Sequence, residues 1–189
     1  MAPRLNIIIG STRPGRVGPS MARWFDGFAR EHGAFVPVLV DLADFALPVY
    51  DEPNHPRLRQ YAHEHTKRWS ASVESADAYV FVTPEYNYFA PPALVNALDY
   101  VLLEWAYKPA GILSYGGVSG GMRSAQMLKL LLTGLKVMPI PESVNVAGFR
   151  QFIGEDGIFA PNELLIGAAR TMLDELSRWT VALQPIRAK

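Results

Sequence analysis

Short apolar runs alternate along the chain with longer segments in which apolar residues recur at helical spacing. Five of the runs are rich in residues that favour strands: residues 5–10, 35–42, 78–84, 111–117 and 137–146. The alternation of such strands with helical segments is typical of a parallel sheet that helices cover on both faces. The pattern therefore predicts an α/β fold.

The longer segments predict covering helices. Between the first two strands, Met21, Phe25 and Phe28 recur at helical spacing while polar residues take the other side, which indicates an amphipathic helix. Residues 57–76 have a helical composition with a polar surface, and an apolar stripe over residues 165–179 predicts a closing helix. Both helices are expected to lie against the sheet.

The segment from Leu94 to Trp105 predicts a helix of a different kind. Besides one apolar stripe, it carries Val95, Tyr100 and Leu103 on the opposite side. A helix that is apolar on both sides needs two partners, which here are its own sheet and a second copy of the chain. We therefore expect a homo-oligomer that forms through this helix.

Length and composition limit the classes of function. The chain has 189 residues, of which 49% are hydrophobic, and this suits a single domain over residues 1–189. Lys and Arg together number 18, as do Asp and Glu together, so no overall positive field exists to hold nucleic acid. The absence of Cys excludes disulfides, thiol catalysis and thiolate metal sites. No apolar stretch approaches the roughly 20 residues of a membrane span, so we expect a cytoplasmic protein without a membrane partner.

The histidines do not have the spacing of a metal site. His63 and His65 are two residues apart on a predicted helix, so they are expected to point in different directions. His32 and His55 add no recognisable ligand spacing. We interpret all four as solvated side chains and predict no metal.

The stretch "GSTRPGRVGPS", residues 10–20, connects the first strand to the first helix. A strand that enters a helix through a Gly-rich turn directs backbone N–H groups and the positive end of the helix dipole at one point, which attracts an anion. Arg13 and Arg16 add guanidinium groups that bind phosphate well. The stretch matches neither the P-loop nor the GxGxxG pattern, which favours a phosphate monoester. A solvated loop that binds nothing remains an alternative, as does a dinucleotide fold in which Asp41 holds a ribose.

The third and fourth strands also end in stretches with ligand chemistry. The third ends in "TPEYNYFAPP", where Asn87 offers an amide and Tyr86, Tyr88 and Phe89 offer flat surfaces for a ring. The fourth ends in "SYGGVSGGMR", whose glycines allow backbone N–H groups to approach a flat heterocycle. Because carboxyl ends of strands in such a sheet meet at one edge, the three loops together predict a mononucleotide such as FMN.

At these three loops the chain resembles the NADPH-dependent FMN reductase family of flavodoxin-like proteins, which includes quinone, azo-dye and chromate reductases. The resemblance rests on "GSTRPGR", on "TPEYN" followed by "LVNALDY", and on "KPAGILSYGGVSGGMRSAQML". It implies a flavodoxin-like doubly wound sandwich with a five-stranded parallel sheet in the order 2-1-3-4-5 and helices on both faces. It also implies bound FMN, NADPH or NADH as co-substrate, and dimers or tetramers that form through the helix after "PEYN".

The resemblance also implies which residues hold the flavin. They are Ser11, Arg13, Arg16, Val17 and Gly18 at the phosphate, Pro84, Glu85, Tyr86 and Asn87 beside the ring, and Ser114, Tyr115, Gly116 and Gly117 in the third loop. The chain departs from the family pattern after "PEYN", where Tyr88 and Phe89 are bulky and Pro92 and Val95 replace a Gly and a Lys. We expect a narrower or more aromatic pocket over the flavin.

The predicted activity is that of an FMN-dependent NAD(P)H oxidoreductase acting on quinones, azo compounds, free flavin or similar small acceptors. Since the flavin carries the hydride, no catalytic side chain is needed. Donor and acceptor would use one exposed face of the ring in turn, which predicts ping-pong kinetics. A flavodoxin-type electron carrier and a flavin-free interaction module are the alternatives, and the neutral charge balance disfavours the acidic carrier.

Overall fold

The computed structural model describes residues 2–187. Its strands are β1 (Arg4–Ile9), β2 (Val36–Asp41), β3 (Ala78–Pro84), β4 (Pro109–Gly116) and β5 (Met138–Ala147). Its helices are α1 (Gly18–His32), α2 (Glu64–Glu74), α3 (Pro92–Asp99), α4 (Met122–Gly134) and α5 (Glu163–Arg187). Three short 3₁₀ turns lie at Leu42–Phe45, Pro56–Leu58 and Phe149–Phe152.

The strands form one parallel sheet in the order β2-β1-β3-β4-β5, which confirms the predicted flavodoxin-like topology. Chain order reverses at β1, since β2 lies on one side of β1 and β3 on the other. The register pairs Ile9 with Asp41 and with Val82, and Gly116 with Ala147. The loops that follow the strands therefore leave from the same edge of the sheet.

Each face of the sheet carries its own apolar core. Successive strand side chains point to opposite faces, so Ile7 joins the core under α1 and α5 while Ile8 joins the core under α2, α3 and α4. Both side chains are fully buried. The prediction of helices on both faces is confirmed.

Two helices differ from their predicted bounds. The helix predicted over residues 57–76 starts at Glu64, because residues 57–63 have no apolar stripe and the Glu52 carboxylate instead binds the backbone N–H groups of Ala62 and His63 at 2.7 and 3.1 Å. The helix predicted from Leu94 to Trp105 ends at Asp99. α4 lies in a segment for which the sequence analysis predicts no helix.

The apolar residues Tyr100 and Trp105, which follow α3, pack within the same chain. Trp105 is fully buried and its indole Nε1 donates to the Leu98 carbonyl at 3.2 Å. Tyr100 is also buried, and its hydroxyl lies 2.8 Å from Asp51 Oδ1. Of the three apolar residues on the side predicted to face a second copy, Tyr100 is therefore buried within one chain and Leu103 stays exposed, and the homo-oligomer stays a prediction.

Over residues 2–187, none of the helices combines the length and apolar character needed to cross a bilayer. The cytoplasmic location stays a prediction.

Candidate active site

A cleft of about 550 Å³ opens at the carboxyl edge of the sheet, beside the point where the strand order reverses. Ligands of doubly wound sheets bind at such a point. The residues that line the cleft are Ser11, Arg13, Gly15, Arg16, Val17, Pro84, Glu85, Tyr86, Tyr115, Gly116, Gly117, Phe149, Arg150 and Ile153. The structure thus brings the three predicted loops together, although Gly18, Asn87 and Ser114 are not among the lining residues.

The first loop leads into a helix whose amino terminus is open. α1 begins at Gly18 with no side chain capping its first N–H groups, with a proline in its first turn and with no acidic residue there. The free N–H groups and the helix dipole make this end positive. Arg13 lies on the loop with an exposed side chain, and among the described residues no carboxylate is within salt-bridge distance of it. This end of the cleft is therefore suited to an anion.

Arg16 is held differently from Arg13. Its guanidinium makes two hydrogen bonds to the Asp41 carboxylate, at 2.7 and 2.6 Å, and also donates to the Ser11 carbonyl. Asp41 in turn accepts from the backbone N–H of Ala43 at 3.0 Å. The charge of Arg16 is thus balanced within the chain, and Asp41, the residue that a dinucleotide fold would use for a ribose, is occupied by this pair.

Gly18 permits a close contact between the first loop and the fourth strand. A β-carbon at Gly18 would lie 2.9 Å from the Tyr115 hydroxyl oxygen. Tyr115 is buried, which raises the pKa of its phenol, so the hydroxyl remains protonated. Gly18 therefore contributes backbone and space, while Tyr115 contributes the wall of the cleft.

The loop after β3 is a tight turn. The backbone N–H groups of Tyr86 and Phe89 each donate to the carbonyl of the other, at 2.8 and 3.0 Å. Asn87 and Tyr88 between them both have positive φ, 52° and 72°, a conformation that Asn tolerates better than Tyr. The turn places Asn87 with Phe89 in a neighbouring groove, while Tyr86 lines both the groove and the cleft.

Ion pairing ties this turn to the loop after β4. The buried side chain of Glu85 is paired with Arg123 and accepts from Ser119 Oγ at 3.0 Å. Arg123 also lies over the Tyr88 ring, 4.1 Å from its centroid. Burial acts to raise the pKa of Glu85, but the hydrogen bonds from Arg123 and Ser119 outweigh it and hold the pKa below its ordinary value. Glu85 is therefore a carboxylate that fixes two loops to one another.

The two glycines that end β4 have different surroundings. A β-carbon at Gly116 would lie 2.9 Å from the backbone nitrogen of Gly121, so close packing within the chain requires glycine there. A β-carbon at Gly117 would meet no atom within 4 Å. Since Gly117 lines the cleft, the space that its missing side chain leaves is available to a ligand.

The side chain of Ser114 points away from the cleft and into the chain. Its side chain is fully buried, and Oγ lies 2.8 Å from both the Gly120 carbonyl oxygen and Asn145 Oδ1. These contacts hold the glycine loop in place from behind. Ser11 links the other two loops, since its Oγ lies 2.8 Å from the Tyr86 hydroxyl.

The sequence analysis missed one wall of the cleft. Gly15 lies in the loop that it did consider, but Phe149, Arg150 and Ile153 follow β5, and Phe149 packs edge-on against Tyr115 with ring centroids 5.6 Å apart. The signal was present, because β5 ends at the same sheet edge as the other strands. An aromatic residue and an arginine shortly after a predicted strand are therefore the sequence signal for this fourth loop.

The unusual residues after "PEYN" lie beside the cleft and do not line it. Phe89, Pro92 and Val95 line the neighbouring groove, which has a volume of about 730 Å³ and runs along α3. Tyr88 is exposed and stacks on Arg123. In this structure Phe89, Pro92 and Val95 therefore shape the groove beside the cleft, and Tyr86 lines both.

The prediction that His63 and His65 point in different directions is wrong. His63 precedes α2, so the helical spacing does not apply to it. Their rings stack with centroids 5.1 Å apart, and both approach the Asp51 carboxylate, at 3.8 and 3.1 Å. Over residues 2–187 we find no cluster of three or more His, Cys, Asp or Glu side chains that could hold a metal ion.

Comparison with known proteins decides the family. Residues 3–151 match the family described as NADPH-dependent FMN reductase. The chain belongs to this family. The match therefore gives the enzyme class, which is an oxidoreductase, and the cofactors, which are FMN and a reduced nicotinamide.

Individual relatives agree with the family. The chain is 40% identical over 129 residues to an NAD(P)H-dependent FMN reductase of Schizosaccharomyces pombe, an alignment that covers 67% of this chain and 64% of the relative. It is 30% identical over 145 residues to a quinone reductase of Pseudomonas putida, covering 72% and 74%. The fold is that of FerB, a flavoenzyme NAD(P)H:acceptor oxidoreductase from Paracoccus denitrificans, with a TM-score of 0.74, 21% identity and coverage of 95% and 98%.

The residues of the cleft fit FMN. Its phosphate matches the open amino terminus of α1 and the exposed Arg13, where positive charge is not otherwise balanced. Its flat ring matches the open space at Gly117 and the aromatic wall formed by Tyr86. The donor set and the shape of the cleft therefore agree with the family.

Proposed function

We propose that this protein is an FMN-dependent NAD(P)H oxidoreductase that delivers hydride to quinones, azo compounds, free flavin or similar small acceptors. The observation that carries the proposal is the cleft itself, which joins an anion site at the start of α1 to an open, backbone-lined space at Gly117. Bound FMN supplies the hydride chemistry, so the protein has only to hold and tune the flavin.

The proposed cofactor-binding residues act in three groups. Arg13 and the backbone of Val17 and Gly18 receive the phosphate, and Arg16 with Ser11 holds their loop in shape. The remaining groups are Pro84, Glu85, Tyr86 and Asn87 beside the ring and the backbone of Ser114, Tyr115, Gly116 and Gly117 on its other side. Backbone N–H groups at these loops stabilise negative charge on a reduced ring because they are fixed before the reaction.

Ping-pong kinetics follow if nicotinamide and acceptor use the same opening in turn. Tyr86 lines both the cleft and the groove along α3, which places the two cavities side by side and supports a single exposed face of the ring. Initial rates at varied NADPH and quinone concentrations test the order of events. Parallel double-reciprocal lines are expected, and intersecting lines would count against a shared opening.

An absorption spectrum of the freshly purified protein, followed by anaerobic addition of NADPH, tests the main proposal. We expect a flavin spectrum that bleaches with NADPH and returns on addition of a quinone. A protein that binds FMN but is not reduced by NADPH would instead be a flavodoxin-type electron carrier. A protein that stays colourless when incubated with FMN would contradict the proposal.

We also propose that the chain, as one domain over residues 1–189, forms a homo-oligomer through α3 and the segment after it. Val95 on the groove and the exposed Leu103 remain available for a partner after Tyr100 and Trp105 are buried within the chain. Sedimentation at micromolar concentration is expected to give a dimer or tetramer, and Leu103→Glu should shift it toward monomer. A wild-type protein that sediments only as monomer would contradict this.

A further inference from the structure

The segment after β5 packs against the start of α1. Ser20, in the first turn of α1, donates through Oγ to the Gly157 carbonyl at 2.8 Å and accepts from the Phe159 N–H at 2.9 Å. Phe149 and Ile153 of this segment join the same apolar core as Val17. Phe149, Arg150 and Ile153 also line the same cleft as Gly15 and Val17, the residues that lead into α1. Residues 149–153 therefore form a wall of the cleft that α1 supports from its first turn.

This segment is also anchored to the glycine loop. The Gly148 N–H donates to the Gly117 carbonyl at 2.8 Å, and Phe149 packs edge-on against Tyr115. Gly148 itself has φ 57°, a conformation that favours glycine. These contacts fix the position of Arg150, which follows Phe149 in the chain. Arg150 lines the cleft.

The charges at the cleft separate its arginines into two kinds. Arg16 is paired with Asp41, and Arg123 is paired with Glu85. Arg13 and Arg150 line the cleft, are exposed, and have no carboxylate within salt-bridge distance among the described residues. The guanidinium of Arg150 lies over the Phe149 ring, with its Cζ 5.8 Å from the centroid.

We propose that Arg150 is a second phosphate-binding arginine, which together with Arg13 and the amino terminus of α1 holds the phosphate of FMN. The inference rests on the proposed function, because it assumes that the cleft holds this flavin. A phosphate monoester carries a charge of about −1.5 to −2 at neutral pH. Arg13 alone leaves part of that charge unbalanced, since Arg16 is neutralised by Asp41.

The assignment gives the arginines distinct roles. Arg13 and Arg150 contact the phosphate from the loops after β1 and β5, and Arg16 is a positioning residue that acts through the Ser11 carbonyl and Asp41. The loop after β5 thereby becomes part of the cofactor site. It selects FMN over riboflavin, which has the same ring and no phosphate.

Flavin binding by the full chain, stripped of flavin, tests the inference. Quenching of flavin fluorescence gives the affinities for FMN and for riboflavin in the wild type and in Arg150→Gln. We expect the variant to bind FMN on the order of tenfold more weakly and riboflavin equally well, as the loss of one charge-assisted hydrogen bond predicts. Arg150→Lys should recover part of the FMN affinity, because it restores the charge without the fork of the guanidinium.

A matched control removes an arginine elsewhere on the surface. Arg178 on α5 is highly exposed, lies outside the cleft and pairs with Glu175, so Arg178→Gln changes the net charge equally and is expected to leave the affinity for FMN unchanged. Thermal unfolding of each variant without flavin checks that all are folded. A uniform loss of affinity in both variants would mean a general charge effect and would overturn the assignment.

Other outcomes are equally decisive. If the wild type binds FMN and Arg150→Gln binds it with the same affinity, Arg150 does not contact the phosphate although the proposed function stands. If Arg150→Gln leaves FMN binding unchanged but abolishes a preference for NADPH over NADH, the arginine holds the phosphate of the nicotinamide and the assignment is wrong. If the wild type binds neither flavin, the proposed function and the inference both fail.

Discussion

The two ends of the cleft differ in whether their charged groups are paired within the chain. The phosphate end, residues 10–18 with residues 149–153, carries a helix amino terminus without a cap and two arginines without a carboxylate partner among the described residues. The ring end, residues 84–89 with residues 116–123, has its ionic groups already paired, as Glu85 with Arg123. One end holds charge that a ligand must balance, and the other is balanced before a ligand arrives.

Under the proposed function, this difference explains why the phosphate and the ring of FMN would each be held at a different end. A phosphate carries a large negative charge, so unpaired positive groups bind it through strong charge-assisted hydrogen bonds. A neutral oxidised ring gains little from free charges, and fixed backbone groups that are in place before reduction serve it better. The variants below therefore have different effects depending on the end at which they lie.

The largest effect is expected at the ring end, from Gly117→Val. The β-carbon would enter open space in the unliganded chain, so the fold is expected to tolerate the change while the side chain excludes the ring. We expect the affinity for FMN to fall about a hundredfold, the upper range for forcing atoms into an occupied space. Fluorescence titration measures it, with Gly167→Val as the control, since a β-carbon at Gly167 also meets nothing and lies outside the cleft. Undiminished binding would place the ring elsewhere.

At the phosphate end, Arg16→Gln should destabilise the folded chain as well as weaken binding. Asp41 would lose two hydrogen bonds at a partly buried position, which costs about 1–3 kcal/mol. Urea unfolding of the flavin-free protein measures the loss. Arg30→Gln removes the more exposed contacts with Asp26 and with the Pro37 carbonyl and is expected to destabilise the chain less than Arg16→Gln does. Equal losses in both variants would show that the Arg16 pair does not brace the loop.

Arg13→Gln is expected to affect binding alone. Its guanidinium makes no ion pair among residues 2–187, so the free energy of unfolding should stay within about 0.5 kcal/mol of the wild type. The affinity for FMN should fall on the order of tenfold, and the affinity for riboflavin should not change. A loss of stability as large as that of Arg16→Gln would remove the distinction between the two arginines.

The smallest effect is expected from the Glu85 ion pair, and it depends on pH. The folded state holds the pKa of Glu85 below its ordinary value of 4.5, so the unfolded chain takes up the proton more readily. The stabilisation is fully present above pH 4.5 and is lost as the pH falls through the lower folded-state value. Glu85→Gln should lower the free energy of unfolding at pH 7 by under about 1 kcal/mol, because Arg123 is half exposed. Urea unfolding at pH 7 and pH 3 should show the difference shrinking in acid, and a difference that grows would contradict the sign.

Much of the fold was predictable because strand character is local. Each observed strand lies within a residue or two of its predicted run, and β3 matches its prediction at both ends. The predicted bounds were wrong where the helical spacing of apolar residues continued beyond the end of the helix. The apolar spacing continues from Leu94 to Trp105, but the chain turns after Asp99, and a side chain buried beyond a turn produces the same sequence pattern as one on a helix.

Three of the loops that line the site were predictable from the sequence, and the contacts between loops were less so. The Gly-rich stretch before α1 and the loops after β3 and β4 were identified because strand ends in such a sheet share one edge. β5 ends at the same edge, but the way in which Phe149 and Arg150 are held could not be predicted, since it depends on the chain returning from β5 to pack on Tyr115 and Ser20. These contacts join residues far apart in the sequence.

The sequence by itself determined the five strands, the positions of most covering helices, the anion-attracting turn before α1 and the family resemblance, because each depends on residues close together in the chain. Only the tertiary structure decided that Arg16 is neutralised by Asp41 while Arg13 and Arg150 remain available to a ligand. The reason is physical, since the charge that an arginine offers to a ligand depends on which carboxylate the fold brings within a few ångströms of it.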